Sequence, residues 1–278
     1  MDSATHMLRT GRRGALFEFQ MALRDLRSSA ERLDLAWSLA WHDVVSRYRG
    51  SILGPFWITI SMGLMVLGIG FLWGELFRVS IHDFIPFVAL GIVFFGTVTG
   101  TINEGCDTFV QAAGMLSQTS LPMFTFVWRT VLRNLINLGH HLVIVLAVLL
   151  YFGFWRTADY PAAALGLLLM VANLAWISML VAIASARFRD IPQIVASITQ
   201  AAALMTPVFW LPDRISAAHR GILDLNPFYH LLQAVRAPLM GAGVAPHTYL
   251  FLAGMAAAGW AVTFYLFAVT RRRIVHYL

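Results

Sequence analysis

The chain contains no lysine, a single cysteine and few charged residues of either sign. Its 278 residues are 59% hydrophobic and 12% charged, and all 20 basic residues are arginine. Because a P-loop requires lysine in the pattern GxxxxGK[ST], the sequence has no nucleotide-binding loop of this type. With Cys106 alone, the chain forms no intrachain disulfide and no CxxC metal or redox site.

The low charge content also excludes an ordinary soluble domain. Soluble domains carry about 25% charged residues, and the mean hydropathy here is +0.70. The formal net charge is +6, but the arginines flank apolar segments, which is typical of membrane orientation rather than of nucleic-acid binding. We therefore predict an all-α, polytopic membrane protein that does not bind nucleic acid.

Six segments are long and apolar enough to cross a bilayer, which takes about 20 residues per helix. They are residues 55–77, 84–104, 132–154, 161–185, 192–211 and 247–270. With the amino terminus inside, fifteen arginines lie on or near the inner side and five on the outer side. The positive-inside rule therefore predicts that both termini are cytoplasmic. The first 50 residues also lack a cleavable apolar region.

Acidic residues are missing from the centre of every predicted span. An ion-coupled transporter usually needs an acid or base at that depth to bind the coupled ion, so the absence of carboxylates there disfavours this class. An intramembrane transferase is also disfavoured, because its candidate groups, His82–Asp83 and Glu104–Asp107, lie on opposite sides of the predicted topology. The energy for any transport must then come from a partner protein.

Residues 31–50 predict an amphipathic helix at the membrane surface. Leu33, Trp37, Ala40, Trp41, Val44 and Tyr48 fall within an arc of about 100°, with Arg47 and Arg49 near the helix end. Gly50, Gly54 and Pro55 then end this helix, and the chain enters the first span at Phe56 and Trp57. Residues 1–30 read as a cytoplasmic extension that is either poorly ordered or lies on a surface.

Two loops have patterns of their own. Residues 105–121 predict a short helix with Asp107, Gln111 and Gln118 facing outward and Phe109, Ala113 and Leu116 facing inward. Residues 212–246 are too apolar for an aqueous loop and too rich in helix breakers for a span. Short re-entrant helices in the outer leaflet fit this pattern, since irregular backbone at that depth is tolerated inside protein.

Two sets of side chains are candidates for a substrate path, and each has a structural alternative. Arg129, Arg133, Asn137 and His140 or His141 share one helix face. They either bond neighbouring helices and the inner membrane interface, or contact a phosphate; metal binding by the adjacent histidines is disfavoured. Phe56, Trp57, Phe209 and Trp210 either belong to interfacial aromatic belts or stack on sugar rings.

Four tracts resemble the permease subunits of type-2 ABC exporters. They are RYRGSILGPFW, NEGCDTFVQAAGMLSQTSLP, RFRDIPQI, and TPVFWLP with LNPFYHLLQAVRAPL. The resemblance covers residues 31–278 and is strongest to the branch that exports lipid-linked polysaccharide such as O-antigen, capsule or teichoic acid. A permease of the same architecture that exports a drug or a simple lipid is the alternative.

The resemblance implies a homodimer in the bacterial cytoplasmic membrane with two copies of a cytoplasmic ABC ATPase, which would bind the ATP and magnesium. Residues 105–121 would be the coupling helix that meets the ATPase, and residues 31–50 would be the interface helix. Residues 212–246 would form the outer gate, and a lipid-linked glycan would be the cargo. The coupling residues would be Asp107, Thr108, Gln111, Leu116, Ser117 and Gln118, and the gate would include Pro212, Asn226 and Pro227.

Overall fold

The computed structural model describes residues 15–54, 56–212 and 220–277, and its regular elements are all helices. In chain order they are α1 (Ala15–Ala30), α2 (Leu33–Arg47), α3 (Phe56–Phe77), α4 (Ile81–Cys106), α5 (Thr108–Gln118), α6 (Met123–Tyr151), α7 (Tyr160–Arg187), α8 (Ile191–Met205), α9 (Arg220–Asp224), α10 (Pro227–Leu239) and α11 (Pro246–Tyr277), with a 3₁₀ turn at Phe154–Arg156. The predicted all-α class is confirmed.

Five helices in the described ranges are long and apolar enough to cross a membrane: α3, α4, α6, α7 and α11. They coincide with five of the six predicted spans, although α6 begins at Met123 rather than near residue 132. The chain is therefore a multi-pass membrane protein. Among the spans, α4 is the central helix, since 83% of the residues in its most apolar stretch are buried. In α3 the corresponding fraction is 11%, so this helix is peripheral.

The predicted span at residues 192–211 is shorter than expected. Its helix, α8, contains 15 residues and ends at Met205. At 1.5 Å per residue it is about 22 Å long, less than the roughly 30 Å of a hydrocarbon core. Thr206 takes an extended conformation (ψ 137°) before Pro207, because the proline ring disfavours helical geometry in the preceding residue.

Two large apolar clusters hold the bundle together, and a third, small one (Ala40, Val44 and Ile136) joins α2 to α6. The larger one surrounds α4 and includes Phe84, Leu90 and Phe94, packed against α6, α7 and α10. The second one lies where α5, the first turns of α6 and the last turns of α11 meet, around Phe109 and Phe124. We call the region of this second cluster, together with α1 and α2, the α5 end of the bundle. The α10 end is the opposite one, where the amide of Asp159 donates to the carbonyl of Pro238 at 2.9 Å.

The helix α1 belongs to this α5 end and is an ordered part of the fold. Buried Asp25 accepts hydrogen bonds from the backbone amides of Met123 and Phe124, both at 3.1 Å, and pairs with Arg271 at 3.3 Å. The carboxylate therefore caps two amides at the start of α6 that have no partner within the helix. Of the two expectations for residues 1–30, poor order does not hold for the helix Ala15–Ala30. Residues 1–14 lie outside the described residues.

In the region before the last helix, which was predicted to be re-entrant, the described residues form α9 and α10. Nine residues of α10 are buried, including the fully enclosed Arg236. Close contact with α7 depends on Gly166, where a Cβ atom would collide with the backbone carbonyl of Ala234. Residues 213–219, part of the predicted gate region, lie outside the described residues.

Candidate functional site

A network of charged side chains joins α2, the end of α4 and the first third of α6. Arg129 donates from Nε and Nη2 to the two carboxylate oxygens of Asp43, at 2.7 and 2.6 Å. Arg133 bridges two acids, donating to Asp43 at 3.1 Å and to Glu104 at 3.0 Å. We call this group, completed by Arg47 and Asn134, the Asp43 network.

Glu104 is the second acceptor of the network, at the end of α4. Asn134 donates to its Oε2 atom at 2.7 Å, and Nη2 of Arg47 lies 3.6 Å from Oε1. Three guanidinium groups thus face two carboxylates, and the network keeps a net positive charge. These side chains come from three helices, so the network connects α2 to both α4 and α6.

The electrostatics of Asp43 show that this pairing is strong. Burial alone would raise the pKa of its carboxyl group, but hydrogen bonds and charge from Arg129 and Arg133 outweigh burial and lower the pKa below its ordinary value. Asp43 is therefore ionised whenever the protein is near neutral pH, and it holds both arginines.

The predicted substrate-path arginines, Arg129 and Arg133, are thus engaged within the chain. Their hydrogen bonds match the structural alternative of helix-to-helix bonding, and their contact with a phosphate stays a prediction. Sequence reasoning missed Asp43 as their partner. The available signal was that two arginines on one apolar helix face require an acid on a neighbouring helix.

The face with which α2 docks on α6 overlaps the predicted apolar face, which included Ala40 and Val44, but extends to Ala36 and leaves the tryptophans at its edge. Ala36, Ala40 and Val44 are buried, and their small side chains allow close approach of the two helices. Trp37 and Trp41 remain about half exposed and line a shallow groove of about 400 Å³ with Leu135 and Gly139 of α6. Amphipathic rings at this position suit a membrane–water interface.

The helix α5 has one buried and one exposed face, largely as predicted. Phe109 and Leu116 pack in the second apolar cluster, and Thr108 bonds Thr130 of α6 at 3.0 Å. Asp107, Gln111, Ser117 and Gln118 are exposed, together with Val110 and Met115. Thr108 and Leu116, both predicted as coupling residues, are buried and position α5 instead of facing outward.

The four aromatic residues of the predicted path are not brought together. Phe56 and Trp57 are exposed at the start of α3, and none of the ring contacts in the described ranges joins them to Phe209 or Trp210. Phe209 packs against the larger apolar cluster, and Trp210 donates to the carbonyl of Leu204 at 3.1 Å. A shared aromatic lining therefore stays a prediction for the assembled protein.

At the α10 end, the side chain of Asn226 links the start of α10 to Thr206, the residue after α8. Its side-chain oxygen caps α10 by accepting from the amides of Phe228 at 2.9 Å and Tyr229 at 3.3 Å, and its Nδ2 donates to Thr206 at 3.1 Å. Pro227 is the first residue of α10, where a missing N–H is harmless. Pro212 is the last described residue before the gap at 213–219.

Comparison with known proteins agrees with this architecture. The sequence profile of the family described as ABC-2 type transporter matches residues 34–240, about three quarters of the chain. The chain belongs to the ABC-2 type transporter family. It is also similar to the O-antigen export system permease protein RfbA of Myxococcus xanthus, with 24% identity over 217 residues, which cover 77% of this chain and 84% of RfbA.

The part that matches the ABC-2 family contains the features described above. It begins in the first turn of α2 and ends directly after α10, so it includes the Asp43 network, α5 and the re-entrant helices. The helices α1 and α11 lie outside it. This ABC-2 permease is thus a membrane transport subunit whose matched region is flanked by two helices that meet at Asp25 and Arg271.

One further feature is a set of polar side chains on α8. Thr199 faces α4, where it accepts a hydrogen bond from Nδ2 of Asn103 at 3.1 Å. Gln193, Ser197 and Gln200, spaced by four and three residues, instead share an exposed face of α8. Exposed side-chain amides are unfavourable next to lipid, so this polar stripe of the ABC-2 permease is better suited to contact with water, cargo or protein than with lipid tails.

Proposed function

We propose that this chain is the membrane subunit of an ATP-driven exporter of a lipid-linked polysaccharide, working as a homodimer with two copies of a separate ABC ATPase. The observation that carries the proposal is membership of the ABC-2 family together with the similarity to an O-antigen export permease. The setting would be the bacterial cytoplasmic membrane, with both termini in the cytoplasm.

The orientation is supported by the arginines at the α5 end. Arg24, Arg27, Arg47, Arg49 and Arg271 all belong to helices or turns of this end. Since cytoplasmic segments of membrane proteins carry an excess of arginine and lysine, the α5 end is the cytoplasmic one in this proposal. A cytoplasmic ATPase would then approach α5, α2 and α1.

The exposed face of α5 is suited to such a partner. Gln111 and Gln118 supply hydrogen-bonding groups next to Val110 and Met115, and this mixture is typical of a surface that fills a cleft in another protein. Movement of α5 would reach α4 and α6 directly, because only Asp107 separates α5 from α4 and Thr108 bonds α6. Motion of α2, including Arg47, Tyr48 and Arg49 at its end, would reach them through the Asp43 network.

The polar stripe on α8 supports a hydrophilic cargo. In a homodimer, Gln193, Ser197 and Gln200 of each copy would face a shared path, and their amides and hydroxyl would replace the water that hydrates a sugar chain. A drug or a simple lipid would gain little from such groups. This difference in chemistry favours the polysaccharide over the alternative cargo with the same architecture.

Two measurements on the chain purified from its native membrane test the proposal. Co-purification of a stoichiometric ABC ATPase, with retention of a lipid-linked glycan detected by mass spectrometry, would support it. Export driven by the isolated chain in vesicles, with no second protein, would refute the ATPase role, and retention of a drug or simple lipid in place of a glycan would refute the cargo.

A matched pair of glycine variants tests the role of α5. Gly114 lies on its exposed surface with open space around it, and Gly243 is similarly exposed at the α10 end. Gly114→Arg should abolish ATPase co-purification and surface display of the glycan without lowering the yield of folded protein. Gly243→Arg should preserve both. Equal behaviour of the two variants would show that α5 is not the docking helix.

A further inference from the structure

A cationic cavity lies between α1, the start of α6 and the end of α11. It has a volume of about 250 Å³, and its polar lining residues are Arg24, Asp25, Ser28, Arg32, Ser120 and Arg271. Three arginines and one aspartate give it a net positive charge. Of its nine lining residues, Ser120, Leu121 and Pro122 lie within residues 34–240 and the other six lie outside, so all the charged groups of the cavity come from parts of the chain beyond the family match.

The positive charge of this cavity is not balanced within the described parts of the chain. The carboxylate of Asp25 is fully used by the amides of Met123 and Phe124 and by Arg271. Within residues 15–54, 56–212 and 220–277, Arg24 and Arg32 form no ion pair, and the hydroxyls of Ser28 and Ser120 have no hydrogen-bond partner. Two cations and two hydroxyls with free bonding capacity are suited to an anion.

The geometry of α1 indicates from which side this anion comes. Leu16, Phe19 and Leu23 form an exposed apolar stripe, spaced by three and four residues. Arg24 and Ser28 lie about 100° to 150° around the helix axis from the centre of that stripe. If the stripe faces lipid, the cavity faces the aqueous side of α1.

Contacts with α11 agree with this placement. The ring of Phe19 packs edge to face on Phe264, with centroids 5.0 Å apart. Phe264 precedes Arg271 by seven positions, or about 10 Å along the helix. The apolar stripe therefore points toward the span of α11, while the cavity lies beyond it, near Arg271. Ser120 also places the cavity two residues after the end of α5.

We propose that this cavity receives an acidic side chain, aspartate or glutamate, from the ABC ATPase that docks on α5. This inference rests on the proposed function, since it assumes that such a partner exists. The cavity would give the ATPase a second anchoring point, next to the end of α5 and largely outside the family-matched region. Arg24 and Arg32 would pair with the incoming carboxylate, and Ser28 and Ser120 would donate hydrogen bonds to it.

The test compares two double variants that lose the same charge. Arg24→Gln/Arg32→Gln removes the free cations of the cavity. Arg27→Gln/Arg273→Gln removes two exposed arginines outside its lining, one of which pairs only with Glu31. ATPase affinity is measured by titration of the purified ATPase onto the chain in lipid nanodiscs. We expect the cavity variant to bind about three- to thirtyfold more weakly than wild type, with a smaller difference in high salt, and the control to match wild type.

A cross-link identifies the group that enters. Cys106 is buried and is the only native cysteine, so Ser28→Cys can carry a single photoreactive label, with Arg27→Cys as the control position. The label at position 28 should join an ATPase peptide containing aspartate or glutamate. If the cavity variant loses bound anionic phospholipid in native mass spectrometry while its ATPase affinity stays unchanged, the cavity is a headgroup site and the proposal is wrong.

Failure of the proposed function and failure of the cavity assignment give different results. If no ATPase binds the wild-type chain, the proposed function fails and the cavity assignment fails with it. If the ATPase binds wild type and both double variants equally, only the cavity assignment is refuted.

Discussion

Removal of the Asp43 carboxylate should release α2 from α6. Asp43→Asn keeps the shape of the side chain but removes the negative charge that Arg129 and Arg133 share. The side chains of Asp43 and Arg129 are only 16% and 18% exposed, and that of Arg133 is 8% exposed, so solvent screens the charges weakly. Removing one partner of a buried pair costs about 3–5 kcal/mol, and the residual exposure here places the expected loss near the lower end, at about 3 kcal/mol.

A double-mutant cycle separates the pair from other effects of the substitution. Asp43→Leu and Arg129→Met each remove one partner, and the combined variant removes both charges. We expect a coupling free energy of about 2 kcal/mol between the two sites, because Arg129 forms two short hydrogen bonds to Asp43. The assay is reversible denaturation of the purified protein in mixed micelles.

Asp34→Asn is the matched control. Asp34 lies in the first turn of the same helix, is exposed, and forms no ion pair within the described ranges, so its loss should change stability by less than about 0.5 kcal/mol. Effects of Asp43→Leu and Arg129→Met that add within about 0.5 kcal/mol would refute the reasoning.

Acid titration gives an independent readout of the same pair. The pKa of Asp43 is lowered in the folded protein, so the network's contribution is complete above the ordinary carboxyl pKa and is lost as the pH falls below about 4. Wild type should therefore lose stability over this acid range more steeply than Asp43→Asn. Identical acid profiles for the two proteins would contradict the assignment.

Two further substitutions test the α10 end. Gly166→Ala should destabilise the protein by about 1–3 kcal/mol, because its Cβ would collide with the backbone of Ala234, whereas Gly254→Ala on open α11 surface should be neutral or slightly stabilising; equal thermal shifts would contradict the close contact. Asn226→Ala should cost about 1–2 kcal/mol by removing the cap of α10 and the bond to Thr206, and limited proteolysis should show faster cleavage around α9 and α10. Unchanged cleavage with a lower melting temperature would show that Asn226 stabilises the fold without restraining this region.

Hydropathy predicted the spans well because it depends on composition over about 20 residues, and no detailed contact is needed. It overestimated the length of the helix at residues 192–211, where the apolar run continues after the helix has ended. The reason is local, since Pro207 disfavours helical geometry at Thr206. A window average does not register a break that leaves hydrophobicity unchanged.

The candidate site could be predicted only in part. The two faces of α5 followed from periodicity, because one face meets a core and the other does not. The docking face of α2 followed only in part. The helical wheel included Ala40 and Val44 but centred the face nearer Trp37 and Trp41, whereas the contact with α6 also uses Ala36, whose small side chain permits close approach of the helices.

Ion pairs between distant segments could not be predicted from the sequence. Asp43 is separated from Arg129 by 86 positions, and Asp25 from Arg271 by 246. Nothing in the local pattern distinguishes such acids from solvated ones, because their role depends on which helices become neighbours.

The capping of α6 by Asp25 joins residues that are synthesised at very different times. The ribosome delivers Asp25 about a hundred residues before the amides that it binds, and Arg271 only in the final turns of the last helix. Until α11 has been synthesised, the carboxylate lacks its partner Arg271, so the α5 end reaches its final form only after that helix is made. A fragment cut at the borders of the family match would lack both groups and would leave the first amides of α6 without their cap.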